Sequence, residues 1–333
     1  MPDTTVPVLD VSANPSQGSS PALCVPFAPA LHPEVEQVQA RSVVWAQGFG
    51  LVSSGVALDR LHRSRIAWLA ARAYPRGEAR LLQIAADWTT LFCLLDDAIE
   101  RLPGAAAVAD ELAVLAANLE PGAGAADDTP MRRAMIDLRE RILAEGAGHL
   151  TRFQARIREL FAAFVAEAAQ RCAGRIPDLD GYVPMREVTV GLHVEFVIGE
   201  LIMQVGLSAA LRRHPLRIAL ARAASNIVGW ANDIYTHEKE IQQGEIHNLV
   251  FVLARAEDLG LAQALVRAVE MHDREVEDFV ALVRAVEVEA RLADADREAL
   301  RRYAAMMTTW VRGHLDWGRE TGRYVAERPH HPQ

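Results

Sequence analysis

From about Glu34 almost to the end of the chain, apolar residues recur at three- and four-residue intervals, and runs that alternate apolar with polar are scarce. That period belongs to helices rather than strands. Breakers interrupt it at Tyr74-Pro75-Arg76-Gly77, Leu102-Pro103-Gly104, residues 120–130, Ile176-Pro177, His214-Pro215 and Gln242-Gln243-Gly244. Between them the pattern predicts roughly ten helices. No break is long enough for an interdomain linker and no internal repeat shows, so the expectation is a single all-α domain. Residues 1–33 carry prolines at 2, 7, 15, 21, 26, 29 and 33 and read as a flexible, mostly extended N-terminal arm. The end of the chain, 327–333 with His330-His331, reads as a disordered tail.

Composition narrows the function. Half of the 333 residues are hydrophobic, enough for a large core. A net charge of −9 argues against a nucleic-acid partner, whose affinity depends on neutralised phosphates. Cys24, Cys93 and Cys172 are odd in number and far apart, which suits a reducing cytoplasm and neither a disulfide framework nor a zinc site. The N-terminus lacks the basic and apolar regions of a secretory signal. The most apolar long stretch, Val188–Leu211, contains His193, Glu195 and Glu200, so it reads as a buried helix and not a membrane span.

Two short motifs carry chemistry. The run Asn232 to Glu240 places Asn232, Thr236 and Glu240 at i, i+4 and i+8, along one helix face, with Lys239 beside them. A carbonyl, a hydroxyl and a carboxylate suit Mg²⁺, which takes oxygen ligands and completes its shell with water and phosphate. An incomplete oxygen site next to a lysine points to a phosphate-bearing substrate. The second motif, Asp96-Asp97-Ala98-Ile99-Glu100, ends an apolar segment that begins near Trp88. Such crowded carboxylates repel unless a cation or basic side chain joins them. Alone, this motif reads as a solvated acidic helix end; two such motifs in one helical chain read as one site.

Together the motifs resemble those of class I terpene synthases, bacterial terpene cyclases in particular. That family pairs D-D-x-x-(D/E) with N-D-x-x-(S/T)-x-x-(K/R)-E, here Asp96–Glu100 and Asn232–Glu240. Arg186 stands 46 residues before Asn232, where the family has a diphosphate-sensing arginine, and the C-terminal Arg323-Tyr324 pair follows Trp310 and Trp317 as in the family. The likeness runs over about 34–326 and implies a helical bundle around a central cavity. It implies a cyclase that ionises a prenyl diphosphate, farnesyl diphosphate first, with three Mg²⁺ ions. By the same resemblance Asp96, Glu100, Asn232, Thr236 and Glu240 are metal ligands, and Arg186, Lys239, Arg323 and Tyr324 bind diphosphate. Asp97 and Asp233 support closure and the ligand shell, and Thr189, Val190 and Gly191 form a helix break whose carbonyl acts as effector. Thr236 stands where bacterial members usually have Ser, and Val190 occupies the effector position.

A carbocation needs a dry pocket with aromatic walls. Trp88 and Phe92 lie two turns and one turn before Asp96; with Phe196, Trp310 and Trp317 they are the expected lining. Tyr303, Phe161 and Phe164 read as core. His193 and Glu200 share a helix face opposite Glu195, so only one of these sets can face the cavity, and core hydrogen bonding is the plainer reading for both. Asn248 reads as structural and His247 is left open. The rival readings are a diterpene or monoterpene cyclase, a hydrolase releasing prenyl alcohol, and a noncatalytic helical binding protein. A chain-elongating prenyltransferase would carry a second aspartate-rich motif in place of the Asn232 triad. The expected partner is the prenyl diphosphate alone, with the protein a monomer or homodimer.

Overall fold

The computed structural model describes residues 21–120, 122, 129–289 and 292–324. Among these residues there are thirteen α-helices and no strand. In order they are α1 (Val35–Gly48), α2 (Gly55–Ser64), α3 (Ile66–Ala73), α4 (Ala79–Ile99), α5 (Ala105–Ala117), α6 (Pro130–Ala144) and α7 (Ala147–Cys172). The remaining six are α8 (Leu179–Thr189), α9 (Leu192–Ile202), α10 (Pro215–Gln243), α11 (Leu249–Ala256), α12 (Leu261–Val288) and α13 (Asp294–Glu320). The six predicted breaks coincide with helix ends or the segments between helices, the one at 120–130 lying partly outside the described residues. The helix count exceeds the expected ten because short interruptions carry no Pro signal. Arg65, in the left-handed region at φ 49°, separates α2 from α3, and Gly146 at φ 127° precedes α7.

Long helices with one apolar face surround the core. α10 packs on α12 and α13, and α13 in turn on α3, which rests against α4. α10 starts at His214, whose side chain accepts from the Leu216 N–H, with Pro215 in the first turn where no N–H partner is missed. It ends at Gly244, φ 73°, a left-handed cap that only glycine adopts without strain. No helix of the described residues is long and apolar enough to cross a membrane.

The proline-rich segment departs in part from expectation. Residues 1–20 lie outside the described residues, as does the tail from 325. Residues 21–33 are extended but packed, not weakly ordered: Leu23 and Val25 are buried and the Phe27 ring meets Phe279 edge-on at 5.8 Å. Arg319 and Arg312 of α13 donate to the Leu23 and Phe27 carbonyls at 2.6 and 3.0 Å. A proline-rich extended segment outside any sheet still needs its carbonyls satisfied, and these arginines do that for Leu23 and Phe27.

Candidate active site

A cavity of about 370 Å³ opens between α4, the junction of α8 with α9, α10, α13 and the segment 322–324. The helical repeat of α10 turns Asn232, Thr236, Lys239 and Glu240 towards it, and α4 presents Trp88, Phe92, Asp96, Asp97 and Glu100 from the facing side. Residues more than 130 positions apart in sequence thus share one wall and its opposite.

On α10, the Thr236 hydroxyl donates back to the Asn232 carbonyl at 2.8 Å, leaving its lone pairs towards the cavity. Asn232 accepts from Arg186 Nη2 at 2.7 Å through Oδ1 and donates to the Tyr324 hydroxyl at 2.8 Å through Nδ2. Glu240 Oε2 accepts from Asn248 Nδ2 at 2.8 Å, and Asn248 also caps α11, which makes it the structural residue expected. Asp233 faces away from the cavity. Its carboxylate accepts from Arg186 Nε at 3.0 Å, from the Tyr182 hydroxyl and from the Leu249 N–H at 3.1 Å. It therefore stands behind Arg186 and fixes the guanidinium's direction. Burial alone would lower the Arg186 pKa; Asp233, with Tyr182, Glu167 and Glu240, more than reverses this and raises it.

At the end of α4, Asp97 receives both Nη atoms of Arg323, at 2.9 and 3.1 Å, and Asp96 lies 3.5 Å from Nη2. This fork ties the C-terminal segment to α4. Burial raises the Asp96 carboxyl, and burial together with Asp96 pushes Glu100 up to about 8. Glu240, across the cavity, is pushed up to about 7 by burial and Asp233. The two acidic walls thus lack enough positive charge of their own. Among the described residues no three His, Cys, Asp or Glu side chains converge to hold a metal alone. The donors that face one another are oxygen-only and mixed, carboxylate with amide carbonyl and hydroxyl, which fits a hard cation that shares its shell with water and an anion.

The helix break is where the motif places it. α8 ends with Val190 as its cap, Gly191 adopts φ 81°, and α9 begins at Leu192; Thr189, Val190 and Gly191 all border the cavity. A Cβ at Gly191 would lie 2.8 Å from the Phe92 ring. Gly191→Ala combines a strained backbone with that clash and should cost about 1–3 kcal/mol of unfolding free energy, read from urea denaturation. Unchanged stability would mean that the break is not held by this contact.

Trp88, Phe92, Trp310 and Trp317 line the cavity. Phe92 stacks on Phe164 at 6.2 Å, and Trp310 meets Tyr74 edge-on at 5.9 Å. Phe196 is a correction: it is fully buried in the core against His193 and Tyr303. Consecutive helical residues diverge by about 100°, and it is Glu195 that borders the cavity. Of the two sets on α9, His193 pairs with Glu187 at 3.1 Å and Glu200 is buried against Arg212. His247, left open by sequence, is buried and bonded to Gln170 at 3.1 Å.

Sequence reasoning missed Arg171, Cys93 and His314, which also line the cavity. Arg171 comes from the end of α7, far from either motif. His314 Nε2 lies 3.1 Å from the Tyr324 hydroxyl, and burial pushes its pKa down to about 3, so a neutral imidazole stands behind Tyr324. One signal was available: Lys239 is the sole lysine of the chain. A chain that is otherwise all arginine marks that position.

The comparisons agree with this geometry. A family profile described as "Terpene synthase family 2, C-terminal metal binding" matches residues 87–278, which span both motifs. The chain is 30% identical to a germacrene A synthase of Nostoc punctiforme, over 91% of this chain and 94% of that protein. It is 31% identical to a (+)-T-muurolol synthase of Roseiflexus castenholzii described as (2E,6E)-farnesyl diphosphate cyclizing, over 91% and 93%. The crystal structure of germacradien-4-ol synthase from Streptomyces citricolor superposes with a TM-score of 0.79 at 27% identity, covering 90% of this chain and 99% of that one. Sequence, fold and the two facing motifs lead to one conclusion: this chain belongs to the terpene synthase family, with its helical fold and its dependence on a divalent metal.

Proposed function

We propose that this protein is a sesquiterpene cyclase that uses Mg²⁺ to ionise farnesyl diphosphate and releases diphosphate with a cyclic C15 product. One observation carries the reading: a single cavity has oxygen donors on two facing walls, basic groups between them and aromatic rings beyond. Asp96 and Glu100 on one side and Asn232, Thr236 and Glu240 on the other would hold the metal, three ions as in the family. When bound, the metal offsets the diphosphate charge and lowers the cost of its departure. Arg186, Lys239, Arg323 and Tyr324 would donate to diphosphate oxygens, the arginines through the N–H groups that Asp233, Asn232 and Asp97 leave free. Their donors are held in place before reaction by Asp233, Asp97 and Asn232, so little reorganisation accompanies bond breaking.

The step itself is heterolysis of the allylic C–O bond, with the electron pair leaving on diphosphate. It needs no nucleophile, and the cation forms beside Trp88, Phe92, Trp310 and Trp317. The aromatic faces attract positive charge and the walls exclude water. Val190, in the effector position, and Gly191, which turns the chain at φ 81°, end α8 at the cavity wall. A reducing cytoplasm is the compartment this reading takes, in keeping with three widely separated cysteines. Residues 34–326 are read as one catalytic domain, working as monomer or homodimer, with the prenyl diphosphate its only partner.

Comparing geranyl, farnesyl and geranylgeranyl diphosphates tests the substrate: the highest kcat/KM should be for farnesyl diphosphate, and a higher value for either other chain length would reassign it. The uniqueness of Lys239 gives a second check. An amine-reactive reagent should label only Lys239 and the N-terminus, and Mg²⁺ with inorganic diphosphate should slow the Lys239 adduct in peptide mass spectra. Labelling unaffected by diphosphate would remove Lys239 from the binding set.

A further inference from the structure

Besides Asp233, three buried carboxylates lie near the site, and two of them are conventionally paired. Asp87 is 2.7 Å from Arg141, and Glu200 meets Arg212, with Arg152 at 3.9 Å. Glu195 is as buried, at 4% exposure, yet its hydrogen-bonding neighbours are the hydroxyls of Thr89 and Tyr74. It sits one turn past Gly191 and borders the cavity. Thr89 lies seven residues before Asp96 on α4, about 10 Å along the helix from the acidic cluster, beside Trp88 and towards the hydrocarbon end.

The hydroxyl protons decide the state of Glu195. Thr89 Oγ1 is 2.7 Å from the Ala85 carbonyl and 2.7 Å from Glu195 Oε1. A threonine hydroxyl has one proton and a carbonyl only accepts. With that proton on the Ala85 carbonyl, the contact to Oε1 is a hydrogen bond only if Oε1 is itself protonated. Tyr74 is committed likewise: its hydroxyl donates to the Glu195 backbone carbonyl at 2.6 Å, against 3.4 Å to Oε2. The hydroxyls of Thr89 and Tyr74 that face the two carboxyl oxygens each share a single proton with a backbone carbonyl, so a bare carboxylate there would be only partly compensated for its burial. Burial pushes Glu195 up to about 8, in the same direction.

We propose that Glu195 is a neutral carboxylic acid that protonates an uncharged cyclic polyene in the cavity and so restarts cyclisation. The inference rests on the proposed cyclase reading. The first cation loses a proton to the departed diphosphate and becomes a neutral cyclic polyene. The π pair of one of its double bonds then takes the Glu195 proton, forming a C–H bond and leaving the carboxylate beside the new cation. After further ring closure the carboxylate removes a proton from a carbon next to the cationic centre. That step makes the final double bond and restores the acid. The sum is one prenyl diphosphate in, one cyclic hydrocarbon and one protonated diphosphate out.

Solvent deuterium reads this directly. Turnover of farnesyl diphosphate with Mg²⁺ in D₂O should give a product one mass unit heavier, with deuterium on carbon, because the Glu195 proton exchanges between turnovers. A hydrocarbon at unshifted mass would overturn the inference while leaving the cyclase reading intact; failure to release diphosphate at all would overturn the reading beneath it. Glu195→Gln should yield an unlabelled hydrocarbon, the polyene itself, from the same solvent. Label retained in that variant would take the proton donor away from Glu195. Where Glu195→Gln does not fold, Glu195→Leu serves, since Thr89 and Tyr74 both keep their backbone acceptors.

Discussion

Glu240→Gln should reduce diphosphate release from farnesyl diphosphate by about a thousandfold or more, with the circular-dichroism spectrum of the helices unchanged. The substitution exchanges a carboxylate oxygen for an amide and leaves the side chain's length alone. Its remaining carbonyl can still accept from Asn248, the 2.8 Å bond that ties α10 to the start of α11. What disappears is the only charged oxygen of the Asn232, Thr236 and Glu240 set. Asn232→Leu should abolish turnover as well, but it is the less clean probe, because Arg186 and Tyr324 each lose a hydrogen bond with it. Activity within a few-fold of wild type in Glu240→Gln would remove α10 from metal binding.

Arg186→Gln carries the largest expected effect on stability. Asp233 is 1% exposed, and Arg186 is the cation paired with it, at 2.9 Å. Removing one member of a buried pair leaves the other charge unpaired and costs about 3–5 kcal/mol. Here the lower end applies, because the Tyr182 hydroxyl and the Leu249 N–H remain on Asp233. A fall of about 3 kcal/mol in unfolding free energy by chemical denaturation is the expected result. Arg186→Lys should recover part of it, since the charge returns without the fork that reaches Asp233 and Asn232 together. A variant as stable as wild type would mean that Asp233 does not depend on this partner.

The sequence was most legible where one helix carries a whole motif. The spacing of Asn232, Thr236 and Glu240 sets their shared face through the helical repeat alone, and Pro or Gly marks each of the six long breaks. Legibility failed where partners come from different elements. Glu195 is 106 positions from Thr89 and 121 from Tyr74, so nothing near it in sequence reveals a hydrogen-bonded acid. Phe196 illustrates the same limit by one residue: an aromatic beside the break was expected on the wall, but the helical turn gives that place to Glu195. Arg171 reaches the cavity only because α7 ends there. The segment 21–33 has the composition of a loose arm, and its order comes from arginines of α13 almost 300 residues away. Short breaks at Arg65 and Gly146 depend on backbone angles that composition does not announce.

Every role proposed for these residues turns on whether this cavity converts a prenyl diphosphate into a ring. The most direct measurement is to incubate the purified protein with farnesyl diphosphate and Mg²⁺ and to read the products by gas chromatography with mass spectrometry, with and without EDTA. A cyclic C15 product that disappears with EDTA is expected. Only linear alcohol, or a product insensitive to EDTA, would contradict the cyclase reading.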